Sequence, residues 1–239
     1  MRKRLYSWQG QRFLYLGLEA EPGLPLERQA DGLFRRAAAE LESVGLTLAN
    51  TVRTRILGRS SDARNAGSQA RSRALTGLSR AAGSSYVAPL FFSSGADVGL
   101  DLFAMATPVG DPPRRVTEYE PQENFIRHLQ WGAMVFLPGM TCEEPGLGVQ
   151  CRDILSRAGA ALEETGCGFD RVVRASFYLH RDADLDELLE HVTSLTDLSL
   201  EDIEIERVEG YSRPGKLVEM EFTAVKPAAR AGAAASSGR

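Results

Sequence analysis

The chain repeats one pattern at a constant offset. Residues 41–45 (LESVG) are matched by 162–166 (LEETG), and residues 52–57 (VRTRIL) are matched by 173–178 (VRASFY). Both matches have an offset of 121 residues, and no gap separates them. A chain of 239 residues with two copies of a unit near 120 residues is typical of a tandem duplication. Both copies must therefore adopt the same fold, each around a small core.

Composition is that of a folded globular protein, with 43% hydrophobic and 25% charged residues. No run approaches the roughly 20 apolar residues that span a bilayer, so we expect no membrane partner. The three cysteines, Cys142, Cys151 and Cys167, have no metal-binding or redox spacing and cannot all pair, which favours a reducing cytoplasm.

Charge is distributed unevenly between the two halves. Residues 1–110 carry a net charge of +5 and the remainder carries −9. The asymmetry has two interpretations: drift on solvated surfaces, or basic and acidic units that face each other in an assembly. A nucleic-acid partner is not supported, because the basic half has no dense Lys/Arg run interleaved with aromatic residues.

Apolar periodicity predicts the same order of elements, roughly ββαβαββ, in both units. This order predicts an α+β fold with helices on one face of each sheet, so that the other face needs a cover. We expect one unit over 1–110, a second over 111–227 and a disordered tail over 228–239, with the Pro/Gly-rich linker at 108–113. The predicted strands are 12–18, 51–57, 86–92, 98–106, 134–137, 172–179, 203–208 and 217–225. The predicted helices are 27–44, 150–165 and 185–195, and residues 62–80 are polar with a helical tendency.

Three segments of the second unit, taken in order, resemble the Rid family (reactive-intermediate deaminases, also called YjgF-like). They are 135–141 (VFLPGMT), 166–182, which contains DRVVR followed by YL, and 217–225 (LVEMEFTAV). The first unit is similar in a more eroded form and ends in 100–106 (LDLFAMA). The resemblance implies chorismate-mutase-like units, three of which close a barrel with active sites between units. Since one chain supplies two units, it implies a homotrimer of two stacked rings.

The resemblance also implies cofactor-free hydrolysis of a 2-imino or enamine acid. In that chemistry an arginine on the penultimate strand binds the substrate carboxylate, and a glycine turn and a last-strand glutamate place substrate and water. The turn matches Gly139 and the glutamate matches Glu219. The family spacing counted back from Glu219 leads to Glu204, and the same count from Asp101 in the first unit leads to Tyr86. Neither unit has the arginine, so ordinary imino-acid deamination is not expected.

The candidate catalytic residues are Glu219 and Glu204, which strand alternation places on one sheet face. Either one of them acts as acid or base, or both form salt bridges across subunits with arginines of the basic unit. Asp101 and Tyr86 are the candidates in the first unit. Tyr86 either donates a hydrogen bond to substrate or fills the barrel interior.

The other candidate substrate-binding residues are Gly139, Trp131 and Arg55. Trp131 either walls a pocket or packs in the core. Arg55 alternates with Arg53 on one strand face, which is either a relocated carboxylate clamp or an ordinary solvated or cross-subunit ion pair. No metal-binding spacing is present, and no cofactor is expected.

Three functions stay open. The first is a cofactor-free Rid-type hydrolase or tautomerase acting on an imine, enamine or related intermediate of a specialised pathway, with a cationic or neutral substrate. The second is a non-catalytic ligand-binding or scaffold protein. The third, least favoured, is chorismatase-like chemistry, since chorismatases also resemble two fused Rid-type units. The sequence shows no cluster of arginines for a dicarboxylate.

Overall fold

The computed structural model describes residues 1–107, 110 and 112–227. The predicted tail at 228–239 lies outside the described residues, as do positions 108, 109 and 111 of the predicted linker. The described residues form two sheets, and each sheet packs one face against its own pair of helices. The first unit consists of β1 (Arg2–Trp8), β2 (Gln11–Glu19), α1 (Leu26–Glu42), β3 (Thr51–Gly58), α2 (Ser61–Ala74), β4 (Ala82–Val87) and β5 (Val98–Met105).

The second unit repeats this arrangement with one additional edge strand. It consists of β6 (Arg114–Thr117), β7 (His128–Trp131), β8 (Met134–Phe136), β9 (Met140–Thr141), α3 (Leu147–Glu163), β10 (Val172–His180), α4 (Leu185–Leu195), β11 (Ile203–Val208) and β12 (Val218–Val225).

The two sheets have the same strand order. It is β1-β2-β5-β3-β4 in the first unit and β7-β8-β12-β10-β11 in the second, where β6 extends the edge beside β7. In both units the pair furthest from β1 or β7 is parallel, and the remaining pairs are antiparallel. The predicted α+β fold with two copies of one unit is confirmed.

The strand ladders correct the predicted correspondence between the units by two residues. Arg55 pairs with Asp101, whereas Ser176, the repeat of Arg55, pairs with Glu221. Asp101 therefore corresponds to Glu221, and the position of Glu219 is occupied by Gly99 in the first unit. A two-residue shift preserves the sheet face, so alternation could not reveal it.

Two parts of the fold differ from the predicted elements. The predicted strand at 86–92 lies earlier, at Ala82–Val87, because Pro89 has no N–H to give to a ladder and begins a turn instead. The strands β1, β6 and β7 were not predicted. β1 is mostly exposed, and only Tyr6 and Trp8 alternate toward the core, so the periodic signal is too short to mark a strand.

The inner faces of the two sheets, turned away from the helices, pack against each other within one chain. One shared core contains Phe13, Val52 and Met105 from the first unit with Trp131 and Phe136 from the second. Among the described residues, every helix is too short or too polar to cross a membrane.

Candidate functional site

A cleft of about 400 Å³ lies between the two units. The first unit contributes α2 and β4 to its walls. The second unit contributes the turn at Pro138 and Gly139, residue Glu219 of β12 and the loop at 212–216. The segment between β6 and β7 lines the same cleft with the rings of Tyr119 and Phe125.

The Pro138–Gly139 turn interrupts the strand that pairs with β12, so that β8 and β9 are separate. The Gly139 N–H donates to the carbonyl of Gly83 in β4 (3.1 Å), which joins the turn to the first unit. A Cβ atom at Gly139 would collide with the Glu219 carboxylate and with Ser84. A glycine is therefore required here because backbone and carboxylate approach each other closely.

Glu219 is buried in this cleft, with 5% of its surface exposed. Burial raises the pKa of its carboxyl group to about 7, and the charge of nearby Arg64 opposes this rise. The Ser85 N–H lies 3.4 Å from Oε1. Glu219 therefore holds a proton over a large part of the neutral range, as a general acid requires.

Two arginines of α2 face Glu219 from the first unit. Arg64 and Arg71 are seven residues apart, two turns of helix, and so share one face. Arg64 donates to the carbonyl of Ser85 (3.2 Å), and Arg71 donates to the carbonyl of Ser84 (2.9 Å). Burial lowers the pKa of Arg71 to about 10, which leaves it charged at neutral pH.

Neither Arg64 nor Arg71 forms a salt bridge within the part of the chain that the structure describes. Two half-buried guanidinium groups without a salt-bridge partner, beside a carboxyl group whose pKa burial raises, suit an anionic ligand.

Further cations line the outer end of the cleft. Arg157 pairs with Asp153 (2.5 Å), while Arg213 (3.0 Å) and Lys216 (3.6 Å) share the single carboxylate of Glu143. The cleft therefore keeps an excess of positive charge. No such cluster is visible in the sequence, because its members come from three distant segments that only the fold brings together.

In this cleft the structure brings together two of the predicted site residues, Gly139 and Glu219. Glu204 shares the sheet face of Glu219, as alternation predicted, but it lies on edge strand β11 with 53% of its side chain exposed and pairs with Arg174. Two strand spacings, roughly 10 Å, separate β11 from β12. Trp131 is buried in the core between the sheets and does not reach the cleft.

The predicted residues of the first unit lie outside this cleft. Tyr86 is buried and stacks on Tyr178 (4.1 Å between centroids), so it fills the interior between the sheets. Arg55 is buried and binds Glu221, together with Arg53. Asp101 accepts a hydrogen bond from Tyr15 (2.6 Å) and lines a separate cavity of about 340 Å³, and burial raises the pKa of its carboxyl group.

Within the described residues, no group of three or more His, Cys, Asp or Glu side chains is arranged to hold a metal ion. The chemistry that the cleft offers is thus that of one buried acid, the polar backbone of β4 and two guanidinium groups that donate hydrogen bonds but have no salt-bridge partner among the described residues.

Comparison with known proteins gives matches among solved structures. No model of a protein family matches the sequence, and no curated protein matches it. A chorismatase crystal structure is similar over 92% of this chain and 79% of that chain, with 16% identity and a TM-score of 0.66.

Single-unit proteins of the YjgF family match about half of the chain. One from Mycobacterium tuberculosis has 24% identity, covering 47% of this chain and 99% of its own (TM-score 0.42). One from Neisseria meningitidis has 25% identity, covering 49% and 98% (TM-score 0.42). The match to the chorismatase over nearly the whole chain shows that this chain has the same fold.

Proposed function

We propose that the protein is a cofactor-free hydrolase acting on a small carboxylate with an adjacent C=N or C=C bond, as in an imine, an enamine or an enol ether. Arg64 and Arg71 bind the carboxylate, and Glu219 is the general acid. One observation carries the proposal: a buried carboxyl group with a pKa of about 7 shares a cleft with two guanidinium groups that have no counter-ion among the described residues.

The proposed reaction begins with transfer of the Glu219 proton to the imine nitrogen or to the terminal carbon of the C=C bond. The adjacent carbon becomes electrophilic, and water adds to it. The Glu219 carboxylate then takes a proton from that water, which restores the acid. Collapse of the adduct gives a ketone and releases ammonia or an alcohol. Every proton that Glu219 gives is recovered from water, so no cofactor is consumed.

This proposal modifies the substrate expected from the sequence. The missing strand arginine favoured a cationic or neutral substrate, whereas the positive charge of the cleft favours an anion. Arg64 and Arg71 approach from α2 and can take the place of the missing arginine, because guanidinium groups bind carboxylates in two-pronged geometry whichever element carries them.

Chorismatase-like hydrolysis is the second candidate. The fold that the chain shares with a chorismatase supports it, as does the excess of cations at the outer end of the cleft, where Arg157, Arg213 and Lys216 could receive a second carboxylate. A non-catalytic ligand-binding role is the outcome in which carboxylates bind without being hydrolysed.

The test is a substrate panel with the wild-type protein and E219Q. Ammonia release is measured from freshly generated 2-iminobutyrate and aminoacrylate, and loss of substrate is measured with chorismate. We expect the wild-type protein to turn over at least one of these three substrates. We expect kcat to fall about 100-fold or more in E219Q. E204Q is the control, because Glu204 forms an exposed ion pair with Arg174 outside the cleft. We expect this variant to keep its activity. Equal rates for E219Q and wild type would exclude Glu219 as the acid.

We also propose a homotrimer in a cytoplasmic setting. A groove lined by Tyr6, Phe91, Phe103, Arg174 and Glu206 stays open between the sheets and offers aromatic and charged surface for association. The number three comes from the family resemblance.

The three cysteines are free and buried, which suits a reducing compartment. A single species of 26.1 kDa in solution would contradict self-association.

A further inference from the structure

We propose that Ser84 is a positioning residue of the cleft: its hydroxyl group fixes β4 to Glu221, and its carbonyl group holds Arg71 in place for the substrate carboxylate. The inference rests on the proposed function and adds to it a residue that takes no part in the reaction, because Ser84 acts through Arg71. It also gives the buried ion pairs of Glu221 a role in the site beside their role in stability.

Ser84 makes one contact with each of these two residues. Its Oγ donates to Glu221 Oε2 (2.9 Å), and its carbonyl oxygen accepts from Arg71 Nη1 (2.9 Å). Ser84 is buried in the strand β4, with 1% of its surface exposed. A buried hydroxyl group that loses its acceptor costs free energy, so the bond to Glu221 restrains the side chain of Ser84 and with it the strand.

Glu221 is a firmly held acceptor for this bond. Arg53 Nη1 lies 2.7 Å from its Oε2, and Arg55 Nε donates to its Oε1 (2.8 Å). The Tyr178 hydroxyl group donates to the same Oε1 (3.2 Å). Burial acts to raise the pKa of Glu221, but the two guanidinium groups outweigh it and lower the pKa to about 2. The carboxylate is therefore ionised throughout the neutral range and keeps its position.

The same stretch of β4 carries the backbone groups that face the cleft. The carbonyl of Gly83 accepts from the Gly139 N–H (3.1 Å), and the Ser85 N–H lies 3.4 Å from Glu219 Oε1. A Cβ atom at Gly83 would collide with the Arg71 guanidinium, so this group lies directly against the strand. A shift of β4 would move the guanidinium group relative to the turn and the buried acid, and misplacement of this kind is costly for binding and catalysis.

Ser176 of β10 provides a matched control. It is also buried, with 4% of its surface exposed, and its Oγ accepts from Arg55 Nη2 (2.9 Å). S176A and S84A thus each remove one buried hydroxyl group that contacts the ion pairs of Glu221. S176A removes it from a strand of the second unit, whereas β4 keeps its own bond to Glu221.

The first test measures the binding of benzoate and butyrate, two monoanions, by isothermal titration calorimetry. We expect S84A to weaken both acids about 5-fold, because Arg71 is kept but loses its fixed direction. The double variant S84A/R71A should bind within about 2-fold of R71A, since Ser84 acts through Arg71. S176A should bind as the wild type does. Additive losses in the double variant, or an equal loss in S176A, would show a general effect of the buried hydroxyl groups and overturn the positioning role.

The second test needs no ligand. The Gly139 amide donates to Gly83 of β4, so its hydrogen exchange reports how firmly the strand is held against the second unit. We expect exchange at this amide to be about 10-fold faster in S84A and unchanged in S176A. An unchanged rate in S84A would refute the inference, whatever the protein hydrolyses.

Failure of this inference is distinguishable from failure of the proposed function. If E219Q turns over substrate at the wild-type rate while S84A behaves as expected, Glu219 is not the acid but the positioning of Arg71 stands. If E219Q loses turnover while S84A binds both acids as the wild type does, the acid stands and the role of Ser84 is wrong. No binding of either acid to the wild type would contradict both proposals.

Discussion

At the residue scale, Glu219 and Glu221 show how position alone separates two identical side chains. They are two residues apart on β12 and point to the same face. Burial raises the pKa of Glu219 to about 7. Burial acts in the same direction on Glu221, but Arg53 and Arg55 outweigh it and lower its pKa to about 2. Strand alternation predicted the face of Glu219 from the sequence, whereas its protonation depends on neighbours that come from the other unit.

The raised pKa of Glu219 predicts a pH dependence of stability. The unfolded chain releases this proton near pH 4.5, while the folded protein keeps it to about pH 7. The stability that the protonated group contributes is complete below about pH 4.5, declines as pH rises and is lost above about pH 7. We expect the free energy of unfolding of wild type, relative to that of E219Q, to fall by roughly 2 to 3 kcal/mol between pH 5 and pH 8.

Urea denaturation of both proteins across this range measures the difference. The comparison with E219Q removes the contributions of all other titrating groups, because they are common to both proteins. A difference that stays constant from pH 5 to pH 8 would show that Glu219 ionises near its ordinary pKa and is not poised as an acid.

At the scale of elements, the best predicted parts are those with strong periodicity. The helix at 185–195 and the strand at 203–208 have the predicted bounds. The second helix of the first unit, α2, is polar, and its buried face is made of small residues: Ala63, Ala66, Gly67 and Ala70. Composition predicted only a helical tendency there. What the sequence did not reveal is that α2 carries Arg64 and Arg71 along the cleft.

The helix α2 packs one face of small residues against the core and carries Arg64 and Arg71 along the cleft, which leads to a second prediction. R71A should weaken benzoate and butyrate binding about 10-fold each, because it removes a charge-assisted contact worth roughly 1.5 kcal/mol or more. R73A is the matched control on the same helix, since Arg73 is half-exposed and pairs with Asp31 on the outer surface. Calorimetric titration of both variants checks this. Equal loss of affinity in R73A would point to general electrostatic attraction rather than to a site on Arg71.

At the scale of the whole molecule, the charge asymmetry of the sequence has a structural counterpart. Arg53 and Arg55 of the basic unit meet Glu221 of the acidic unit, with Arg53 Nη1 2.7 Å from Oε2, and Ser84 also donates to Oε2 (2.9 Å). The sequence predicted an ion pair as one interpretation of Arg53 and Arg55, but solvated or between subunits. The pair lies instead inside one chain, because the inner faces of both sheets close on each other, which no local pattern records.

This buried cluster predicts that the two units unfold together. E221Q leaves two buried guanidinium groups without their carboxylate, and we expect a loss of about 3 to 5 kcal/mol in the free energy of unfolding. E204Q is the matched control, because the exposed pair of Glu204 with Arg174 is worth about 1 kcal/mol or less. Thermal unfolding followed by calorimetry should show one transition in wild type and in E204Q. Since Glu221 binds Arg53, Arg55 and Ser84 of the other unit, E221Q should separate into two transitions or melt considerably lower. A single transition at the wild-type temperature in E221Q would mean that apolar contacts alone hold the units together.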